Sequence, residues 1–172
     1  MKRGSAWRGR TVVITSGPTR EHLDPIRFMT NASSGRMGAA LAKAALKLGA
    51  RVIVVSGPAP VEPPRGAAVH RVVSAAQMLK KTLKLARSAD VVIGAAAVSD
   101  WRFSAAAPRK IKRAPGPLRL TLLPNPDIIR EVARRRRGGR PLVVGFALET
   151  HDRVASARAK LRKKGLDLIV AN

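Results

Sequence analysis

The feature that most constrains this chain is a regular alternation of short β-branched runs with amphipathic stretches. TVVITS (11–16), RVIVVSG (51–57), AVHRVV (68–73), ADVVIG (89–94), PLVVGFALE (141–149) and LDLIVAN (166–172) read as strands. GAALAKAALKLG (38–49), AAQMLKKTLKLARS (75–88), NPDIIREVARRRR (125–137) and DRVASARAKLRKKG (152–165) read as helices. Gly49 suits a helix C-cap, and Ser74, Asn125 and Asp152 suit N-caps, with Pro126 in the first turn after Asn125. Such alternation predicts a mostly parallel sheet with helices on both faces, an α/β Rossmann-like three-layer sandwich. The 172 residues fit a single domain, and no internal repeat or linker interrupts them. Function in such folds gathers at the carboxyl ends of the strands. The informative positions are therefore those just after Ser16, Ser56, Gly94, Leu123 and Gly145.

The first of these junctions is abnormally long. SGPTREHLDPIRFMTNASSGRMG (16–38) separates the first strand from the first helix. Ser33, Ser34, Gly35 and Gly38 precede or open that helix, where backbone N–H groups and the dipole favour an anion. The same residues also fit ordinary capping by Ser33 or Ser34. Upstream, Arg20, Glu21, Asp24, Arg27 and Asn31 fit either a second anion or polar tail, or a solvated loop with local ion pairs. Neither GxxxxGK[ST] nor GxGxxG occurs, and the second strand ends in Ser56-Gly57 with no acid for a ribose hydroxyl. A P-loop is excluded and a nicotinamide-dependent oxidoreductase is disfavoured.

The third junction, AAAVSDW (95–101), is small and polar. Three alanines leave room for a flat ligand, and Asp100 either accepts from a base or sugar or caps the next segment. After it, PRKIKRAPGP (108–117) sets Lys110, Lys112 and Arg113 between Pro and Gly, a basic flap able to close on a triphosphate, or a solvated loop. LRLTLL (118–123) alternates as a half-exposed strand would.

Composition removes other classes. There is no cysteine, so thiol catalysis and disulfides are out, and three histidines weaken any zinc reading. No signal-peptide or bilayer-length apolar run exists, which fits a cytoplasmic protein without a membrane partner. The net charge of +24 suggests an anionic partner. Yet aromatics make up 3% and none interleaves with the basic runs, so specific nucleic-acid binding is disfavoured. Arg134–Arg137 and Arg140 suit a helix C-terminus closed by Gly138 and Gly139.

ITSGPTREHLDPIRFMTNASSGRMG, GAAAVSDWR, KIKR, NPDII, VVGFALET and LDLIVAN, in this order, resemble phosphopantothenoylcysteine synthetase, the coenzyme A pathway ligase whose bacterial form is often fused behind a flavin-dependent decarboxylase. The resemblance runs from Thr11 to Asn172. It implies a phosphopantothenate–cysteine ligase using CTP and Mg²⁺, where eukaryotic relatives use ATP, with an acyl-cytidylate intermediate and release of pyrophosphate and CMP. By matching motifs, Asn31 resembles the residue that holds the acyl-nucleotide, Arg27 its neighbour, and Lys110 the lysine of the nucleotidyl step. Gly94, Ala95, Ala96 and Asp100 resemble the base and sugar pocket. Pro126, Asp127, Ile128 and Ile129 match the segment beside the triphosphate, Phe146 the aromatic near the base, and Lys160 and Lys164 two helix lysines one turn apart. Ser34, Gly35 and Gly38 fit the phosphate of phosphopantothenate. No metal ligands are identified. The division implied is a basic extension (1–10) and a synthetase-like domain (11–172) lacking the family's usual C-terminal tail. A homodimer and a separate decarboxylase are the implied partners besides phosphopantothenate, cysteine and CTP, and no FMN is expected. A nucleotide-binding but incomplete synthetase core, or a basic nucleic-acid-binding module, are the competing readings.

Overall fold

The computed structural model describes residues 6–147 and 153–171. Asp152, expected as a cap, Leu148–Thr150 of the VVGFALET motif, residues 1–5 and Asn172 lie outside the described residues. The six apolar runs become strands β1 (Thr11–Ser16), β4 (Arg51–Ser56), β5 (Ala68–Arg71), β6 (Val91–Gly94), β9 (Leu142–Ala147) and β10 (Leu168–Ala171). They form one parallel sheet in the order β10-β9-β6-β1-β4-β5. Helices α1 (Arg36–Lys47), α2 (Ala75–Ala86), α3 (Ile128–Arg135) and α4 (Arg153–Lys164) connect them. The result is a single Rossmann-like α/β domain, as the alternation implies.

The period-2 geometry of each strand divides the core in two. Val13, Ile53, Val55, Val92 and Val143 face a cluster with Met78 of α2 and Ile128 and Val132 of α3. Val12, Ile14, Val52, Val54, Val91 and Ile93 face Ala42 and Ala45 of α1. Val12, Val13 and Ile14 are wholly buried, and each such side chain contributes about 1.5–3 kcal/mol of transfer free energy. Beyond the reach of α1, the same face runs out to Leu142, Leu168 and Val170, which stay exposed.

Caps mark the helix ends. Ser74 accepts from the Gln77 N–H while Gln77 answers the Ser74 N–H, closing a capping box on α2. Gly49, at φ +84°, lets its own N–H reach Leu46 O and the Ala50 N–H reach Ala45 O after α1, the paired pattern that ends a helix on a left-handed residue. Among the described residues no helix is long and apolar enough to cross a membrane.

Two expectations need correction. LRLTLL is not a strand along its length: only β8 (Leu122–Pro124) is a strand, and it pairs antiparallel with β7 (Trp101–Phe103). Its alternation lacks a buried side; Leu118, Leu120, Leu122 and Leu123 are all exposed. The second correction is the N-cap of α3, which is Asp127 and not Asn125. The Asn125 amide donates instead to Ser99 O (2.9 Å) and Trp101 O (3.2 Å), so a long-range partner takes it away from the helix. The long first junction holds a hairpin of β2 (Arg20–His22) and β3 (Phe28–Thr30).

Candidate active site

The strand order reverses between β1 and β6, which lie side by side with Thr15 opposite Gly94. In open α/β sheets a crevice for ligands forms at that point, outside the carboxyl ends. Here a cavity of about 200 Å³ opens next to that point, between the ends of β6 and β9 and the N-terminus of α3, with Thr15 of β1 at its edge. Gly94, Ala96, Asp100, Pro126, Asp127, Ile128, Ile129, Phe146 and Lys164, all singled out from sequence, line it. Thr15, Val98, Ser99, Asn125, Gly145, Leu166 and Ile169 complete the wall and were not foreseen. Thr15 could have been found from its position near the end of a strand; Gly145, inside β9, and Leu166 and Ile169 carry no such signal. Ala95, Lys110 and Lys160 do not line the cavity. Ala95 packs on the opposite face, with the α1 cluster, because successive strand residues point to opposite sides.

The wall is glycine where helix meets sheet. A Cβ on Gly94 would sit 2.3 Å from Ile129 Cγ1, and one on Gly145 2.7 Å from Leu166 Cδ1. At the helix end, Asp127 Oδ1 accepts from the Arg130 N–H at 3.1 Å. Its Oδ2 pairs with Lys164 Nζ at 2.9 Å. Lys164 thus comes to the cavity already held by a carboxylate. No cluster of three or more metal-ligating side chains exists among the described residues.

The hairpin stands beside this cavity. Asn31 Nδ2 donates to Val98 O (3.0 Å) and Ala97 O (3.4 Å) of the β6–β7 connection. Thr19 Oγ1 accepts from the Ser99 N–H at 3.0 Å, and Thr30 Oγ1 donates to Thr19 O at 2.7 Å. The open end of the hairpin is therefore stitched to the cavity wall.

The charges of the hairpin are neither a solvated loop nor an open anion site. Glu21 is buried, and its Oε1 accepts from the Ala75 N–H at 2.9 Å, at the start of α2. Its charge faces the positive end of a helix with no acid in its own first turn. Asp24 is 1% exposed. Its Oδ1 accepts from the Ile26 (2.9 Å) and Arg27 (2.8 Å) N–H groups. Its Oδ2 accepts from Arg27 Nε (2.9 Å), Arg27 NH2 (2.6 Å) and the Ile111 N–H (3.1 Å). The Arg27 side chain holds this carboxyl far below the usual range, against the opposing effect of burial, and the three backbone N–H groups add to the depression. Arg27, expected beside the reacting centre, spends its guanidinium on Asp24 and on Ile111 O (2.7 Å).

The N-terminus of α1 is different again. Gly35 is its N-cap at φ +78°, with no side-chain cap, and the first turn carries Arg36 but no acid. Ser33 Oγ accepts from the Gly35 N–H (3.4 Å) and Ser34 Oγ from the Arg36 N–H (3.5 Å), two residues and one residue too early to cap the helix. Gly38, matched to the phosphate, has a packing reason of its own: a Cβ there would meet Ser16 Oγ at 2.1 Å. It lets α1 lie directly on β1.

Known proteins match this architecture closely. The sequence profile of the DNA/pantothenate metabolism flavoprotein C-terminal domain matches residues 7–172. The coenzyme A biosynthesis bifunctional protein CoaBC of Bacillus subtilis is 47% identical over 165 residues, covering 95% of this chain and 40% of that protein. The chain thus spans about two fifths of the length of the curated relatives it matches. The solved C-terminal domain of a CoaBC protein superposes with a TM-score of 0.86 at 40% identity, covering 98% of this chain and 79% of that one. A Cab2 mutant, H337A, solved with phosphopantothenate-cysteine, shares the fold at a TM-score of 0.80 and 21% identity, covering 96% of this chain and 73% of its own.

Proposed function

The chain belongs to the DNA/pantothenate metabolism flavoprotein C-terminal domain family, and on that premise we propose that it is a cytoplasmic phosphopantothenate–cysteine ligase of coenzyme A biosynthesis that uses CTP. The observation that carries this reading is the joint between hairpin and cavity. Asn31 bonds to the main chain at Ala97 and at Val98, which lines the cavity, so an acyl substrate held by the hairpin would share a wall with a nucleotide in the cavity.

The cavity suits a base and sugar, being smaller than the roughly 300–1,000 Å³ of most ligand pockets. Gly94, Ala96 and Phe146 give a flat apolar slot, and Asp100 at its rim accepts from sugar hydroxyls or an exocyclic amine. The triphosphate then lies across the rim, past Pro126–Ile129 and Lys164, with Lys160 one turn back on α4 and Ala95 behind the wall. Ser34, Gly35 and Gly38 at the start of α1 take the phosphate of 4′-phosphopantothenate, where a free helix end and Arg36 favour an anion.

Two displacements follow. The phosphopantothenate carboxylate attacks the α-phosphorus, its new O–P bond replacing the bond to the β-phosphate, and pyrophosphate leaves. The amine of cysteine then attacks the acyl carbon, loses a proton and displaces CMP. Both nucleophiles come from substrates, so the protein needs no Ser, Cys or His nucleophile. It has to align the reactants and offset charge. Asn31 holds the acyl-nucleotide by its carboxamide, Arg27 steadies the hairpin beside it, and Lys110 meets the charge that grows on the phosphates. Mg²⁺ would supply further neutralisation; Asp100 and Asp127 are the carboxylates on the cavity, a sparse donor set that fits an ion held mainly by phosphate oxygens. A homodimer, and a decarboxylase to take the product onward, complete the reading.

The test is pyrophosphate release by the purified chain with Mg²⁺, cysteine, 4′-phosphopantothenate, and CTP or ATP in parallel. Release that requires phosphopantothenate and is faster with CTP is the expected result. CTP binding without release would make the chain an incomplete synthetase core. Salt-dependent DNA binding with no nucleotide binding would make it a nucleic-acid module.

A further inference from the structure

The turn of the β2–β3 hairpin and the root of the basic loop are tied, across more than 80 residues of sequence, through the backbone of Ile111. Asp24 Oδ2 accepts the Ile111 N–H, and Arg27 NH2 donates to Ile111 O. Both polar groups of Ile111 are thereby fixed by an ion pair whose carboxylate is shut away from water. A further backbone bond, from the Ala107 N–H to Leu23 O at 2.8 Å, fastens the same loop to the same turn. Lys110 and Lys112 flank the clamped residue and are exposed. The other end of the hairpin carries Asn31, bonded to the cavity wall. A strand of three residues spans about 10 Å, so the clasp sets Lys110 at a fixed remove from the reaction centre.

We infer that Asp24 is a positioning residue for Lys110: through Arg27 and the Ile111 backbone it pivots the basic loop on the hairpin, so that the lysine swings from a fixed point onto the nucleotide phosphates. A loop without this pivot would sample many arrangements, each losing alignment. Misplacement of about 1 Å costs on the order of 100-fold in rate. The carboxylate touches no substrate. Its effect is exerted wholly through the loop, and it rests on the ligase reading of the site.

The experiment compares wild type, Asp24→Asn, Lys110→Ala and the double variant. CTP affinity is measured by calorimetry, pyrophosphate release by steady-state kinetics, and tryptic cleavage after Lys110 and Lys112 by mass spectrometry. For Asp24→Asn, kcat should fall about 50- to 100-fold with the CTP dissociation constant within about twofold. Cleavage beside Ile111 should rise about tenfold, since cutting tracks the open population. In the Lys110→Ala background the same substitution should cost nothing more, as expected for residues acting on one step. A loss of equal size in that background, or unchanged cleavage, overturns the inference. Should Asp24→Asn fail to fold, Arg27→Lys, which keeps the charge but loses the bond to Ile111 O, takes its place with the same outcomes. If the wild type binds CTP but never turns over, the ligase reading fails separately, and the cleavage result alone decides whether the clasp exists.

Discussion

Among the described residues, four gatherings of backbone N–H groups along the carboxyl edge have flanking residues that can be compared, and three of them are already occupied by the chain's own carboxylates. Glu21 sits at the start of α2, Asp127 caps α3, and Asp24 gathers three N–H groups in the hairpin turn. The fourth, at the start of α1, has a left-handed glycine, no side-chain cap and an arginine in its first turn. The closed three hold the architecture; at the open one, on the proposed function, the substrate phosphate would add what the chain does not. On that proposal the difference separates scaffold from binding surface within elements of the same type.

The largest effect is expected at acid pH, where one of the closed carboxylates, Asp24, acts together with Asp90 and Glu131 elsewhere in the chain. Asp24 is held far below its ordinary value by Arg27, Asp90 lies low through the Thr11 N–H and Arg10, and Glu131 through Arg134. A carboxyl depressed in the folded chain stabilises it fully above the unfolded pKa, about 4. That contribution disappears as pH falls through the folded value. Urea midpoints should therefore hold from pH 7 to 5, begin to fall near pH 4 and keep falling below pH 3. Asp24→Asn should flatten the decline; an unchanged profile would mean that this carboxylate is not what holds the turn.

Closing the open end comes next. Ser34→Asp would give α1 the carboxylate that its neighbours have. Binding of 4′-phosphopantothenate should weaken about 100-fold, while the melting temperature stays level or rises slightly, by the half kilocalorie or so a helix-end acid contributes. Weaker folding with unaltered binding would abolish the distinction. Gly38→Ala should destabilise by about 2 kcal/mol, an overpacking cost, because its methyl would fall on Ser16. Ser16→Gly should recover most of it in a thermal melt. The smallest change is expected at a closed end: Asp127→Ala removes a cap worth about 1 kcal/mol, read as a drop of roughly 2–4 °C in melting temperature.

The main sheet and its helices were legible because burial on both faces forces long apolar runs, as in RVIVVS and TVVITS. Ser74 was legible because its partner, Gln77, is three residues away. Of the nine cavity residues named from sequence, Gly94, Ala96 and Asp100 lie at a strand end that carries its own signal, while Phe146, Lys164 and the Pro126–Ile129 segment came through the family resemblance. The hairpin was hidden for the opposite reason: strands of three residues are too short to show alternation. The burial of Glu21 was hidden because its partner, the Ala75 N–H, lies 54 residues away; for Asp24 the local ion pair with Arg27 was among the readings, but its bond to the Ile111 N–H, 87 residues away, left no local signal. Asn125 misled in the same way, its amide drawn to Ser99 and Trp101 and not to the next turn.

The grip of Asn31 on the cavity wall has a consequence for how freely the sequence can drift. Both of its acceptors are main-chain carbonyls, which every residue type offers. Positions 97 and 98 can therefore exchange side chains, within the space available, without loosening the joint. Position 31 has no such latitude, since an aspartate would confront two acceptors with a third and an alanine would withdraw a donor from both, leaving Ala97 O only the Thr19 N–H. A saturation library over these three positions would show two tolerant columns beside one nearly silent to change, with the joint's whole chemical information concentrated in a single amide.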